Sequence, residues 1–178
     1  MGQQGYLKSR VLKISVGFLL NDAVSSTHDS ELDFPPVQVD EDLIVDFIKG
    51  ALRLSRTKEG ILVQANLAVG VTGDCYRCLD PISSILNLEL EELFSTTDKL
   101  SSDQAEFRIY DDAQLDLAPL IRAEVLLQTT RGLRCEDVDG CNERMQILRQ
   151  QAEMDDIDPR LAALRQLLNK NDAQERDG

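Results

Sequence analysis

Apolar and polar positions alternate along the first two thirds of the chain. Leu12, Ile14, Val16, Phe18 and Leu20 interleave with Lys13, Ser15, Gly17 and Leu19, a period of two that predicts a half-buried strand. Asn21 to Pro36 is rich in Ser, Asp and Pro and predicts a surface loop. Apolar residues return at Leu43 to Phe47 and at Leu52 and Leu54, followed by the polar turn Thr57-Lys58-Glu59-Gly60. Beyond it Ile61, Val63, Ala65, Leu67, Val69 and Val71 share one face while Gln64 and Asn66 take the other, so the turn joins two strands into a hairpin. After Cys75–Pro81, Leu86, Leu88 and Leu90 alternate with Asn87, Glu89 and Glu91, a further strand. Thr96 to Gln104 is polar and predicts a loop, and Phe107 to Tyr110 a short strand.

The period then changes. Leu117, Leu120, Ile121 and Val125 follow helical spacing, with Asp116 placed to cap and Pro119 tolerated in the first turn, where its missing donor costs nothing. A second helix is predicted from Asp158 as cap and Pro159 as first residue, with Leu161, Leu164, Leu167 and Leu168 as its stripe. Arg134 to Asp156 is rich in charge and weak in pattern, and no element is predicted there. Strands first and helices later predict an α+β fold, an antiparallel β-sheet with helices in the C-terminal part. One domain is expected over residues 1–168, with strands at about 11–110 and the helical part at about 116–168, and a flexible tail at 169–178.

Composition narrows the classes. Hydrophobic residues are 42% and charged residues 29% of 178, a globular balance, and with aromatics at 4% the core must rest on Leu, Ile, Val and Ala. No apolar run approaches the roughly 18 residues a membrane helix needs, and the polar start does not resemble a secretory leader. A cytoplasmic protein without a membrane partner is expected. The net charge is −13. Residues 131–178 hold 8 basic and 11 acidic side chains, leaving 11 and 21 of the totals of 19 and 32 for the remainder, so neither part is a basic arm. Such a chain repels phosphate backbones unless cations gather on one face. Excess acid either serves solubility or marks a basic partner, of which ribosomal proteins are the obvious class.

Four cysteines, Cys75, Cys78, Cys135 and Cys141, are the candidate chemistry. Cys75-Tyr76-Arg77-Cys78 puts two thiols in one turn at the end of a strand, a spacing that suits zinc. Cys135 and Cys141 are a less typical pair. Three readings stand side by side: a structural zinc site, reduced cysteines filling small positions, and a disulfide or redox pair, which a cytosol disfavours. Four protein ligands would close a zinc shell and leave no position for a catalytic water. Catalysis is not expected. The single histidine, His28, lies in the polar stretch and predicts an exposed loop residue, and no phosphate-binding glycine loop is present. Glu89 and Glu91 fall on the solvated face of a strand, and Asp158, beside Asp155 and Asp156, serves better as a cap than in a metal cluster.

The segment Cys75-Tyr76-Arg77-Cys78-Leu79-Asp80-Pro81 resembles the C-x-R-C-L signature of the YceD family, the large ribosomal RNA subunit accumulation proteins. Glu91-Glu92-Leu93-Phe94, Leu115-Asp116-Leu117-Ala118-Pro119-Leu120 and Asp158-Pro159-Arg160-Leu161-Ala162-Ala163-Leu164 follow in the family's order, so the resemblance spans about residues 50 to 168. It implies a role in synthesis, processing or stability of large-subunit (23S) ribosomal RNA in bacteria and plastids, and a gene neighbourhood shared with a small basic large-subunit ribosomal protein. The chain departs from the family where many relatives have a tight cysteine-rich segment: here Gly132-Leu133-Arg134-Cys135-Glu136 is followed by a cysteine only at Cys141. Two functional readings follow. In one, an acidic adaptor holds a basic ribosomal protein or an assembly intermediate containing it. In the other, a zinc-braced module touches ribosomal RNA directly through Arg77, Arg131 and Arg134, unless those arginines pair with Glu136 and Asp137. An interaction module unrelated to ribosomes is the third class.

Overall fold

The computed structural model describes residues 5–96, 107–110 and 112–154. The chain divides into two compact units, Met1–Arg134 and Cys135–Gly178. In the first, a five-stranded sheet has the order β3 (Thr27–Phe34), β6 (Phe47–Arg56), β7 (Gly60–Asp74), β8 (Pro81–Ser95) and β9 (Phe107–Arg108). Its first four strands are antiparallel neighbours, and β9 is added in parallel. A smaller sheet joins β1 (Leu7–Lys8), β4 (Val37–Asp40) and β5 (Leu43–Val45), and β2 (Lys13–Ser15) pairs with β10 (Gln114–Asp116). The helices are the single turn α1 (Gly17–Leu20) and α2 (Ala118–Thr129). The fold is α+β, as the order of periodicities predicts.

β7 and β8 pair over all fifteen residues of each, Gly60 with Ser95 through to Asp74 with Pro81. The alternation read in the sequence is the alternation observed: Ile61, Val63, Ala65, Leu67, Val69 and Val71 are all buried, with Leu88, Leu90 and Phe94 beside them. Helix α2 closes this core by packing on β8 and β4 with Leu120, Ile121 and Val125. The turn before β7 is held by Thr57: its amide and hydroxyl both donate to the Gly60 carbonyl, and the hydroxyl accepts from the Gly60 amide at 3.1 Å. Asp116 acts as expected although Leu117 occupies the formal cap position. Its carboxylate accepts the Ala118 amide at 3.0 Å and meets Lys13 at 3.4 Å.

Three expectations are corrected. Residues 12–20 are not one strand. Ser9–Leu12 is a 3₁₀ turn, only Lys13–Ser15 is extended, and Gly17–Leu20 turns helically. The buried residues are Leu12, Val16 and Leu19, a spacing of four and three, while Phe18 is half exposed. Apolar Leu19 had made both periods available, and burial chose the helical one. Residues 27–34 are a strand, not loop. All eight residues pair with β6, yet only Leu32 is buried, because this edge strand faces solvent around it and its Asp29 and Asp33 answer Arg53 and Lys49. His28 therefore lies on a strand, exposed as expected, 5.0 Å from the Phe18 ring in an edge-on contact.

The third correction is in the second unit, where Val138–Met154 forms α3 inside a stretch for which no element is predicted. Asp137 accepts the Gly140 amide at 3.0 Å and so caps its start. Among the described side chains of α3 only Cys141 is buried, so an apolar stripe is missing and the periodicity is silent. The expected helix from Asp158 and the tail at 169–178 lie outside the described residues.

Arg122 joins α2 to the β4–β5 turn, meeting Asp40 at 2.7 Å and Asp42 at 2.8 Å. The hydrogen bonds from this guanidinium hold the Asp42 carboxyl below its ordinary value. A carboxyl lowered on folding stabilises above its unfolded value of 3.8 and loses that contribution as pH falls through the lower folded value. The difference in melting temperature between the parent protein and Arg122→Met is therefore expected to shrink between about pH 6 and about pH 2, and to shrink also in high salt at neutral pH. A difference constant across that range would show that Arg122 acts only through packing.

Candidate metal centre

The Cys-x-x-Cys segment is the tip of the β7–β8 hairpin. The last paired rung is Asp74 with Pro81, and the chain reverses over Cys75–Asp80. The Cys75 amide donates to the Asp80 carbonyl at 2.8 Å and the Leu79 amide returns to the Cys75 carbonyl at 2.9 Å. Leu79 takes a left-handed φ of 61°, uncommon for a branched residue, and its side chain is two-thirds exposed. A tight reversal with the residue after the second cysteine in the left-handed region turns both thiols to one side. Cys75 and Cys78 are buried, at 0% and 2% exposure, while the intervening Tyr76 is half exposed.

A second segment of the same unit lies against this tip. Cys75 forms a parallel bridge with Leu133, and the Tyr76 amide donates to the Leu133 carbonyl at 3.0 Å. Gly132 makes the approach: at φ 78° it places its α-carbon where an added Cβ would stand 2.7 Å from the Tyr76 Cβ. Only glycine satisfies both the backbone angle and the space. The Arg134 guanidinium carbon sits 6.0 Å from the centre of the Tyr76 ring.

In the second unit Cys135 and Cys141 flank the start of α3. The Cys141 amide donates to the Asp137 carbonyl at 3.2 Å, and Arg144 Nη2 lies 3.7 Å from the Cys135 sulfur. Both cysteines are buried, at 9% and 1% exposure. None of the four thiols is in a disulfide. Buried soft thiols are the donor set zinc takes, and each unit presents a pair of them. Of the candidate arginines, Arg131 and Arg134 are exposed and Arg77 is partly buried. Glu89 and Glu91 are exposed on the outer face of β8. The elements that sequence reasoning missed are Tyr76, as the ring beneath Arg134, and the Gly132–Leu133 contact. The isolated glycine before Leu133 was the available signal.

Comparison with known proteins places these motifs in one family. The family model described as "Large ribosomal RNA subunit accumulation protein YceD" matches residues 63–168. An uncharacterized protein of Mycobacterium tuberculosis is 32% identical over 111 residues, 60% of this chain and 51% of the relative, and a Mycobacterium bovis counterpart matches equally. The uncharacterized protein YlbN of Bacillus subtilis is 27% identical over 106 residues, 55% of this chain and 60% of the relative. The chain thus spans about half the length of the mycobacterial relatives it matches. No solved structure matches. The matched stretch takes in β7 from Val63 onward, the cysteine-bearing tip, β8 and α2, covers more than half of the chain, and establishes that this protein belongs to the YceD family.

Proposed function

We propose that this protein acts in the cytoplasm as a non-catalytic factor for production or stability of large-subunit (23S) ribosomal RNA, an acidic adaptor that holds a basic large-subunit ribosomal protein or an assembly intermediate containing it. The observation that carries the reading is a net charge of −13 on a member of a family named for ribosomal RNA accumulation. Opposite charge speeds encounter with a basic partner and makes the complex salt-sensitive. RNA would then accumulate because its protein partner is delivered. The described acidic groups support binding rather than turnover: Glu89 and Glu91 lie on an open strand face, and Asp29 and Asp42 are engaged by arginines.

The four cysteines are proposed to hold one structural zinc. Support comes from the burial of all four thiols, the tight reversal at Cys75–Asp80 and the backbone bridge from Cys75 to Leu133. Bound zinc would supply a cross-link between chain segments and no catalytic chemistry, because four thiolates complete its shell.

A second reading has one specific observation in its favour. Arg134 lies over the exposed Tyr76 ring, an arrangement that offers both a cation and an aromatic face to an unpaired base. With Arg77 and Arg131 it would form a small positive spot for phosphates on an otherwise acidic protein.

Depletion is expected to lower large-subunit ribosomal RNA relative to small-subunit RNA, and purified protein to bind basic large-subunit proteins at low but not high salt. Unchanged RNA levels would remove the ribosomal role, and no complex at either salt would remove the adaptor. Elemental analysis should find about one zinc per chain, lost in Cys78→Ser together with at least ~3 kcal/mol of stability, or roughly 6–12 °C of melting temperature. Metal-free protein indifferent to chelator would end the zinc assignment. Replacing Arg77, Arg131 and Arg134 by Ala is expected to abolish RNA crosslinking if the second reading holds, and unchanged crosslinks would refute it.

A further inference from the structure

The sheet turns one face to the core and the other to solvent, and its register arranges the outer side chains in rows across β3, β6, β7 and β8. One row runs Asp29, Arg53, Gln64, Glu91. It is closed by the Asp29–Arg53 ion pair at 2.6 Å and by the Gln64 amide donating to Glu91 at 3.0 Å. Another runs Asp33, Lys49, Ala68, Asn87 and contains the Lys49–Asp33 pair at 3.1 Å. Between them lies the row Glu31, Ala51, Asn66, Glu89. This row is different. Among the described residues neither of its carboxylates has an ion-pair partner, and the Asn66 amide makes no side-chain hydrogen bond. All four of its side chains are exposed. Short side chains at its centre, between longer ones in the adjoining row, leave a groove of about 540 Å³ floored by Ala51 and Asn66 and edged by Glu31, Arg53 and Gln64.

We propose that this groove, together with Glu89 one strand beyond it in the same row, docks an extended Lys/Arg-rich segment of a partner protein. The inference rests on the adaptor reading and gives it a surface. Three strand spacings of about 4.8 Å set Glu31 and Glu89 roughly 14 Å apart. An extended chain rises about 3.4 Å per residue, so cations four residues apart reach both carboxylates at once. Asn66, at the centre, offers the donor and acceptor that the segment's own backbone requires. Glu89 and Glu91, neighbours on one strand face, stand one strand beyond Asn66 and Gln64 at the groove's edge, so the surface on that side is acidic as well. The Arg53 and Lys49 charges are already answered by Asp29 and Asp33, which leaves the row between them anionic and unsuited to a phosphate backbone. A polar outer face is ordinary in an antiparallel sheet. Glu31 on the groove's rim and Glu89 one strand beyond Asn66, both unanswered, give this one a complement of defined charge and spacing.

The test uses the full chain and a fluorescein-labelled synthetic peptide of roughly twelve residues, Lys at every fourth position in an Ala/Ser background. Glu31→Gln with Glu89→Gln should weaken binding at least about tenfold, whereas Glu41→Gln with Glu59→Gln, an equal change of net charge at exposed sites off the groove, should alter it less than about twofold. Equal weakening by both pairs would mean that net charge alone is sensed and would overturn the site. Capture of polyuridylate in preference to the peptide, or self-association blocked by the Glu31/Glu89 changes, would also overturn it by assigning the face to RNA or to a second copy. A complex with an intact basic ribosomal protein that survives the Glu31/Glu89 changes would discard the groove and keep the adaptor. Absence of that complex with the parent protein would discard both.

Discussion

The pairing of β7 with β8 is the constraint on which the rest of the unit depends. Fifteen consecutive rungs leave no slack in the register, and a slip of one residue would carry Val63, Leu67 and Val69 into water and Gln64 and Asn66 into the core. The same register decides where the hairpin reverses. Because Asp74 meets Pro81, the reversal must be made by Cys75–Asp80, and both thiols arrive at the tip with their backbone already fixed. Leu133 then pairs with Cys75 at that tip, so the short segment leading to Cys135 starts from a defined place.

Burial and charge are sorted by the same sheet. One face carries Ile48, Leu52, Leu54 and the β7 stripe in the same core as Leu120, Ile121 and Val125 of α2, with no ionised side chain buried there among the described residues. The other carries carboxylates in register across four strands, some answered by Arg53 and Lys49 and some not. Away from the sheet, Arg122 ties α2 to two aspartates and Asp116 caps the same helix while meeting Lys13. Most of these pairs are exposed, and exposed pairs contribute little stability, so the apolar face holds the unit together.

The central hairpin and α2 were legible because each buries one face only, and burial on one face writes its period into the sequence. Residues 27–34 and 138–154 were not. An edge strand solvated nearly all round has no alternation to display, and a helix whose only buried described side chain is Cys141 has no stripe. Residues 12–20 offered two periods at once. For the cysteines, the first pair was readable from its spacing. The contact of Gly132 and Leu133 with Tyr76 was not, since it joins positions more than fifty residues apart in the chain.

The chain by itself determined the class of fold, the inward faces of β7, β8 and α2, the reversal at Cys75–Cys78 and the excess of acid, because each of these is a local pattern or a sum over residues. Only the tertiary structure decided which carboxylates face one another across the sheet, which arginines answer them and which are left unanswered. Strand order and register set those distances, and they arise from hydrogen bonds between segments that no single stretch of sequence contains.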